Sequence, residues 1–246
     1  MNISNHTILI TGGGSGIGLA TAKALLAKNN KVIICGRNQA KLDQATGTTP
    51  GLHAIQCDIS DNAQVATMIQ KLDAGHGGIS ILINNAAIFQ RYDIVGKGLT
   101  REQVSNELLI NVLGPISLID QFLPGLMKKP EAAIVNVSSG LAYVPLTSHA
   151  IYSATKAAVH SYTLSLRHQL KGSAVRIFEL LPPLVDTEMV KDIKLSGKVK
   201  PEVVVNALLS GLANNKKEIR PGASKALYMM SRLMPGVILN QLNKDN

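Results

Sequence analysis

Short apolar runs alternate along the chain with longer segments in which apolar residues recur every three to four positions. Residues 7–11 (TILIT), 31–35 (KVIIC), 52–57 (LHAIQC), 79–84 (ISILIN), 132–138 (AAIVNVS) and 174–180 (AVRIFEL) predict strands. Several are apolar at both alternating positions, as strands covered on two faces must be. Helical period runs over about 16–28, 38–46, 61–73, 101–128 and 152–171. Repeated β–α alternation around buried strands predicts an α/β fold, a doubly wound parallel sheet with helices on both faces. No linker, charge run or internal repeat divides residues 1–246, so one domain is expected.

Composition narrows the function. With 46% hydrophobic and 17% charged residues the chain can fill a core and is not coiled-coil or disordered in character. Aromatic residues make up 3% and Trp is absent, which argues against a stacking platform for nucleic acid. The formal net charge of +9 is concentrated late: residues 191–246 hold ten Lys/Arg against four Asp/Glu. Such a basic segment can meet an acidic partner, though a solvated lysine face is the plainer reading. Cys35 and Cys57 form no metal or redox motif, and no leader or long uninterrupted apolar stretch is evident, so a reduced, cytoplasmic protein is expected.

The candidate chemistry lies where strands end. Residues 11–18 (TGGGSGIG) join the first strand to the first helix. Glycines there permit a tight turn and close backbone approach, and the helix entrance offers free N–H groups to a pyrophosphate. Gly12, Gly14, Ser15, Gly16, Ile17 and Gly18 are therefore candidate dinucleotide contacts. The second strand ends in Gly36-Arg37, where a carboxylate would repel a ribose 2′-phosphate; Arg37 offers such a phosphate a charge-assisted grip, which favours NADP(H) over NAD(H). Asp58 and Ile59 follow the third strand and Asn85 and Ala86 the fourth. Asp58 can accept from an adenine amino group or begin a turn. Asn84 can meet a cofactor or secure a neighbouring strand.

Tyr152 and Lys156 share a helix face at i,i+4, and Ser139 lies thirteen residues before Tyr152 at the sheet's carboxyl edge. Asn111 falls inside the long helix, as a relay residue or the site of a kink. A Tyr-x3-Lys pair alone is commonplace. In order with TGGGSGIG, Asp58, NNAA, Asn111, Ser139 and a proline turn ending at Thr187, it resembles the short-chain dehydrogenase/reductase family over most of the chain. The stretches IICGRN, PEAAIVNVSSGLA and LLPPLVDTEM are most similar to bacterial short-chain oxidoreductases labelled by D-alanyl-lipoteichoic acid esterification genes; that label describes genetic neighbourhood and identifies no substrate.

The resemblance implies a Rossmann-like seven-stranded sheet and a nicotinamide-dependent oxidoreductase acting on a carbonyl or alcohol. Tyr152 would be the acid/base, Ser139 would orient the carbonyl oxygen, Lys156 would grip the nicotinamide ribose and lower the phenol pKa, and Asn111 would hold a relay water. Pro182, Val185 and Thr187 would flank the nicotinamide, with Pro183 where the family usually has glycine. Leu141, Tyr143, His149 and Leu184 would line the substrate side, and residues 188–200 would form a short basic lid. His149 is a tempting second base, yet such a histidine is more often a plain loop residue. Residues 224–246, Met-rich and broken at Pro235, form a helical extension packed on the domain or a subunit partner, a reading preferred to membrane-surface contact. A homodimer or homotetramer is implied; no nucleic acid or metal is expected. The competing reading is a dinucleotide-sensing or scaffold protein on the same fold, against which an intact Ser139, Tyr152, Lys156 and Asn111 argue, since binding alone needs no proton donor.

Overall fold

The computed structural model describes residues 1–191, 193 and 197–244. Seven parallel strands form one sheet in the order β3-β2-β1-β4-β5-β6-β7: β1 Thr7–Thr11, β2 Lys31–Gly36, β3 His53–Gln56, β4 Ile81–Asn84, β5 Ala132–Val137, β6 Val175–Leu180 and β7 Glu218–Ile219. The expected doubly wound architecture is present. β7 spans two residues, too short for any periodicity to reveal.

Alternation along β1 shows why the strands are apolar on both sides. Ile8 and Ile10 enter one core layer, with Ala22 and Leu25 of α1 (Gly16–Leu26), Leu42 of α2 (Gln39–Gly47) and Val204 and Leu208 of α7 (Pro201–Ala213). Leu9 enters the opposite layer, with Val65 and Met68 of α3 (Asn62–His76), Leu118 and Phe122 of α5 (Gly114–Leu126) and Leu166 of α6 (Ala150–Gln169). Strand order reverses between β1 and β4, which opens a crevice at their carboxyl ends.

The helix expected over 101–128 is interrupted. It runs as α4 (Arg101–Leu108), a π turn (Leu109–Leu113) and then α5. Pro115 has no N–H for the carbonyl of Asn111 four residues earlier, so regular α-helical bonding fails there. Among the described residues this segment, Arg101–Leu126, is long and apolar enough to cross a membrane. Its Leu118, Ile119, Phe122 and Leu126 are instead buried in the domain core. The C-terminal extension forms two helices, α8 (Ala223–Leu233) and α9 (Pro235–Leu242), with Pro235 opening the second.

Gly18 lies in the first turn of α1, where Gly→Ala would ordinarily favour a helix by about 1 kcal/mol. A Cβ there would stand 2.4 Å from the Gly12 carbonyl oxygen and 2.6 Å from Asn85 Nδ2. Gly18→Ala is therefore expected to lower unfolding stability by about 1–3 kcal/mol in a denaturant titration. A more stable variant would show that this contact is not tight.

Candidate active site

One cavity of about 670 Å³ runs along the carboxyl edge of the sheet. At its centre the glycine turn meets the end of β4. Gly12 has φ +64°, and a Cβ on it would lie 2.9 Å from Ala86 Cα. Thr11 Oγ1 accepts from the N–H groups of Asn85 and Ala86, both at 3.0 Å, and Asn85 Nδ2 donates to Thr11 O at 2.9 Å. Ser15 caps α1 without its side chain bonding the helix, so the first-turn N–H groups stay open to a ligand. Gly12, Ser15, Gly16, Ile17, Arg37, Asp58, Ile59, Asn85, Ala86, Pro182, Val185 and Thr187 all line this cavity. Gly14 and Gly18 do not. Gly14 packs toward Lys41 and Gly18 beneath Gly12, so both shape the turn from behind.

At one end, Arg37 is about half exposed, with Nη1 3.8 Å from Asp58 Oδ2. The other oxygen of Asp58 accepts from the N–H and hydroxyl of Ser60, so this residue both orders a turn and lines the cavity. Lys41 of α2 pairs with Glu188 at 2.6 Å. Val199 donates to Leu184 O and Asp186 donates to Val199 O, which joins residue 199 to the turn after β6. Of the lid expected over 188–200, Asp192, Lys194, Leu195 and Ser196 lie outside the described residues.

Ser139, Tyr152 and Lys156 share the cavity wall. Ser139 follows β5 and caps a short 3₁₀ turn, accepting from Leu141 N–H at 3.1 Å, and it is hydrogen-bonded to the Tyr152 phenol. Tyr152 lies in the first turn of α6, its ring edge-on to Phe89 at 4.7 Å. One turn later Lys156 is buried, its Nζ donating to Val137 O at 2.9 Å and lying 5.5 Å from the centre of the tyrosine ring. Burial drives the Lys156 ammonium down to about 8, offset in part by the carboxylates of Glu107 and Glu179. The phenol departs from the sequence-based expectation: burial holds it above the ordinary tyrosine range, the Ser139 hydrogen bond lowers it, and Glu107 raises it. The downward pull is expected from Lys156 together with the positive nicotinamide of an oxidised cofactor; in the protein alone burial dominates.

Asn111 sits behind this wall, in the π turn. Its Oδ1 accepts from Ile88 N–H at 2.8 Å, and its Nδ2 donates to Ile88 O and, at 3.2 Å, to Thr155 Oγ1. The helix irregularity and a place beside α6 coexist. Asn84 secures a strand, since its Nδ2 donates to Asn136 Oδ1 at 2.9 Å.

Two substrate-side expectations require correction. Tyr143 does not line the cavity; its hydroxyl accepts from Arg220 Nε at 3.1 Å, and its ring packs against His160 and Tyr228. His149 is also off the wall, buried and stacked on Phe89 at 3.9 Å, with burial and Arg91 driving it down to about 4. It is neutral at physiological pH and is not poised as a base. Leu141 and Leu184 line the cavity as expected. Phe89, Leu146, Leu227, Ile238, Gln241 and Leu242 are also on the wall. No sequence motif marks these residues. Glu107 and Glu179, both fully buried, were equally unmarked. Glu107 accepts from Tyr92 OH at 2.6 Å, and Glu179 accepts from Ser138 Oγ at 2.5 Å and contacts His160 at 2.8 Å.

The sequence matches the short chain dehydrogenase family over residues 6–196, and the chain belongs to that family. It is 39% identical over 250 residues to DltE, an uncharacterized oxidoreductase of Bacillus subtilis strain 168, covering 99% of this chain and 98% of that protein. A short chain dehydrogenase from Burkholderia cenocepacia J2315, crystallised in complex with NADP, superposes with a TM-score of 0.86 at 27% identity, covering 98% of this chain and 99% of that one. The 3-ketoacyl-(acyl-carrier-protein) reductase of Brucella melitensis, complexed with NADH, gives 0.79 at 26% identity, covering 85% and 91%. The chain is thus a short-chain oxidoreductase with dinucleotide-bound structural neighbours.

Burial of the Lys156 ammonium gives a stability test. Its value falls from 10.5 to about 8 on folding, so the folded state carries the full penalty below about pH 8 and loses it as the pH rises toward 10.5. Lys156→Met should raise stability at pH 7 by about 1–3 kcal/mol, with the gain fading across that window. Denaturant unfolding at several pH values reads it, and a gain independent of pH would refute the assignment.

Proposed function

We propose that this short-chain oxidoreductase is an NADP(H)-dependent carbonyl reductase or alcohol dehydrogenase with Tyr152 as its acid/base. The observation that carries this reading is the convergence of the Ser139 hydroxyl, the Tyr152 phenol and the Lys156 ammonium on the same cavity as the glycine turn. The open first-turn N–H groups of α1 and the close approach at Gly12 fit a dinucleotide pyrophosphate. Arg37, half-exposed and beside no ribose-binding carboxylate at Gly36, fits a 2′-phosphate and supports NADP(H) over NAD(H).

When bound, the nicotinamide supplies or accepts the hydride. Ser139 holds the substrate oxygen by a hydrogen bond, and Tyr152 gives that oxygen a proton in reduction or removes one in oxidation. A phenol kept protonated by burial is suited to the donor role. Lys156 would donate to the ribose of a bound dinucleotide and keeps a positive charge beside the phenol. Asn111 supports proton replacement by holding the main chain at Ile88 against α6, where Pro115 offers its carbonyl no i+4 amide donor.

A homo-oligomer and a cytoplasmic setting complete the proposal. Exposed Leu108, Leu109 and Leu113 around the π turn and Leu164 on α6 offer apolar surface for a second copy, and Cys35 and Cys57 are buried free thiols.

NADPH oxidation should be screened against ketones, aldehydes and quinones. Tyr152→Phe is expected to lower kcat by about 10²–10⁴-fold. Undiminished turnover in that variant would remove Tyr152 from the mechanism, and tight NADPH binding with no turnover on any carbonyl would favour a sensing role. Arg37→Ala should weaken NADPH binding by roughly tenfold with NADH little changed; an unaltered NADPH/NADH ratio would count against Arg37.

A further inference from the structure

We infer that the substrate is an uncharged, largely apolar carbonyl compound, or the matching alcohol, carrying one hydrogen-bonding group distant from the reacting carbon that meets Gln241. This rests on the oxidoreductase reading above and deepens it. Besides Ser139 and Tyr152 the cavity is lined by the apolar side chains of Phe89, Leu141 and Leu184 and by Leu227, Ile238 and Leu242 of α8 and α9. Gln241 is the polar side chain that α9 places on this wall.

The charged residues among the described lining are Arg37, Asp58, Lys156 and Glu188. Each is engaged elsewhere. Arg37 and Asp58 face each other at the nucleotide end, Glu188 pairs with Lys41, and Lys156 donates to Val137 O beneath the phenol. A substrate carboxylate, phosphate or ammonium at the far end would find no counter-charge among these residues, beside a wall that is otherwise apolar.

The wall is seated on the serine turn through α8, while α9 lies at the surface with no buried residue. A Cβ on Gly140, directly after Ser139, would lie 3.0 Å from Leu227 Cδ1, so α8 packs on the turn that holds the serine. Behind α8, the guanidinium of Arg220 stacks on Tyr228 at 4.0 Å. Beyond α9, Asn243 accepts from Thr147 N–H at 2.7 Å and donates to Pro145 O at 3.0 Å, tying the helix end to the loop before α6. The apolar wall is thereby fixed at two points to the connection between β5 and α6, which carries Ser139 and leads into the helix that bears Tyr152 and Lys156.

The test compares a neutral aryl-alkyl ketone with analogues of equal length ending in a carboxylate or an ammonium, using NADPH and NADH. The neutral ketone should exceed both charged analogues in kcat/KM by on the order of 100-fold, and lengthening its alkyl chain should raise kcat/KM by about fourfold per buried methylene. Gln241→Lys should raise kcat/KM for the carboxylate analogue by about tenfold and not for the ammonium analogue. Calorimetric binding of the same compounds to the NADP-loaded protein reads the pocket independently of turnover. Charged analogues that bind or react as well as the neutral ketone, or a Gln241→Lys variant blind to the carboxylate, would overturn the inference. So would failure of every neutral member to bind. Preferential binding of the neutral ketone with no turnover would leave the pocket inference standing and defeat the oxidoreductase reading instead.

Discussion

The site depends first on how the ends of β1 and β4 are joined. Thr11 and Asn85 exchange side-chain and main-chain hydrogen bonds there, so the two strands flanking the reversal of strand order finish in a fixed relation. Because Gly12 and Gly18 carry no Cβ, α1 comes down directly onto this junction. The helix entrance is then held open toward the crevice, and the loop continuing through Ala86 to Ile88 is brought to Asn111. A hydroxyl, an amide and two missing methyl groups thus couple the nucleotide cradle to the support behind the reacting residues.

Around Lys156 the structure accepts an electrostatic cost. The ammonium is buried beneath the sheet edge with a carbonyl as its hydrogen-bond partner, while Glu107 and Glu179 moderate its desolvation from within the protein. Neither carboxylate is idle packing: Tyr92 ties one to the loop after β4, and Ser138 and His160 tie the other between β6 and α6. Burial raises the Tyr152 phenol and lowers the Lys156 ammonium, so the two move further apart: the phenol holds its proton while the cation beside it gives one up more readily.

Much of this was legible in the sequence because the informative signals are local. Six strands declared themselves by apolar runs, the glycine turn by composition, and Ser139, Tyr152 and Lys156 by spacing along one strand end and one helix. What escaped reading depends on contacts between distant segments. Tyr143 and His149 lie in the irregular stretch between Ser139 and α6, where no periodicity dictates which side chain turns inward; Tyr143 turns to Arg220, 77 residues away, and His149 to Phe89. Gly14 and Gly18 belong to the recognised motif, yet they act through the space they leave. Glu107 and Glu179 read as ordinary helix and strand residues until the fold encloses them beside Lys156.

The two helices that close the substrate side lie beyond the stretch, residues 6–196, that matches the family, whereas the glycine turn, Ser139, Tyr152 and Lys156 all lie within it. On the proposed reading, recognition of the reactant and execution of the reaction are therefore written in different parts of the chain, which meet at Gly140. Exchange of residues on the inner face of α8 and α9 would then redirect such a protein to a new compound while the proposed proton-transfer groups stay in place. Selectivity and chemistry would thereby evolve separately.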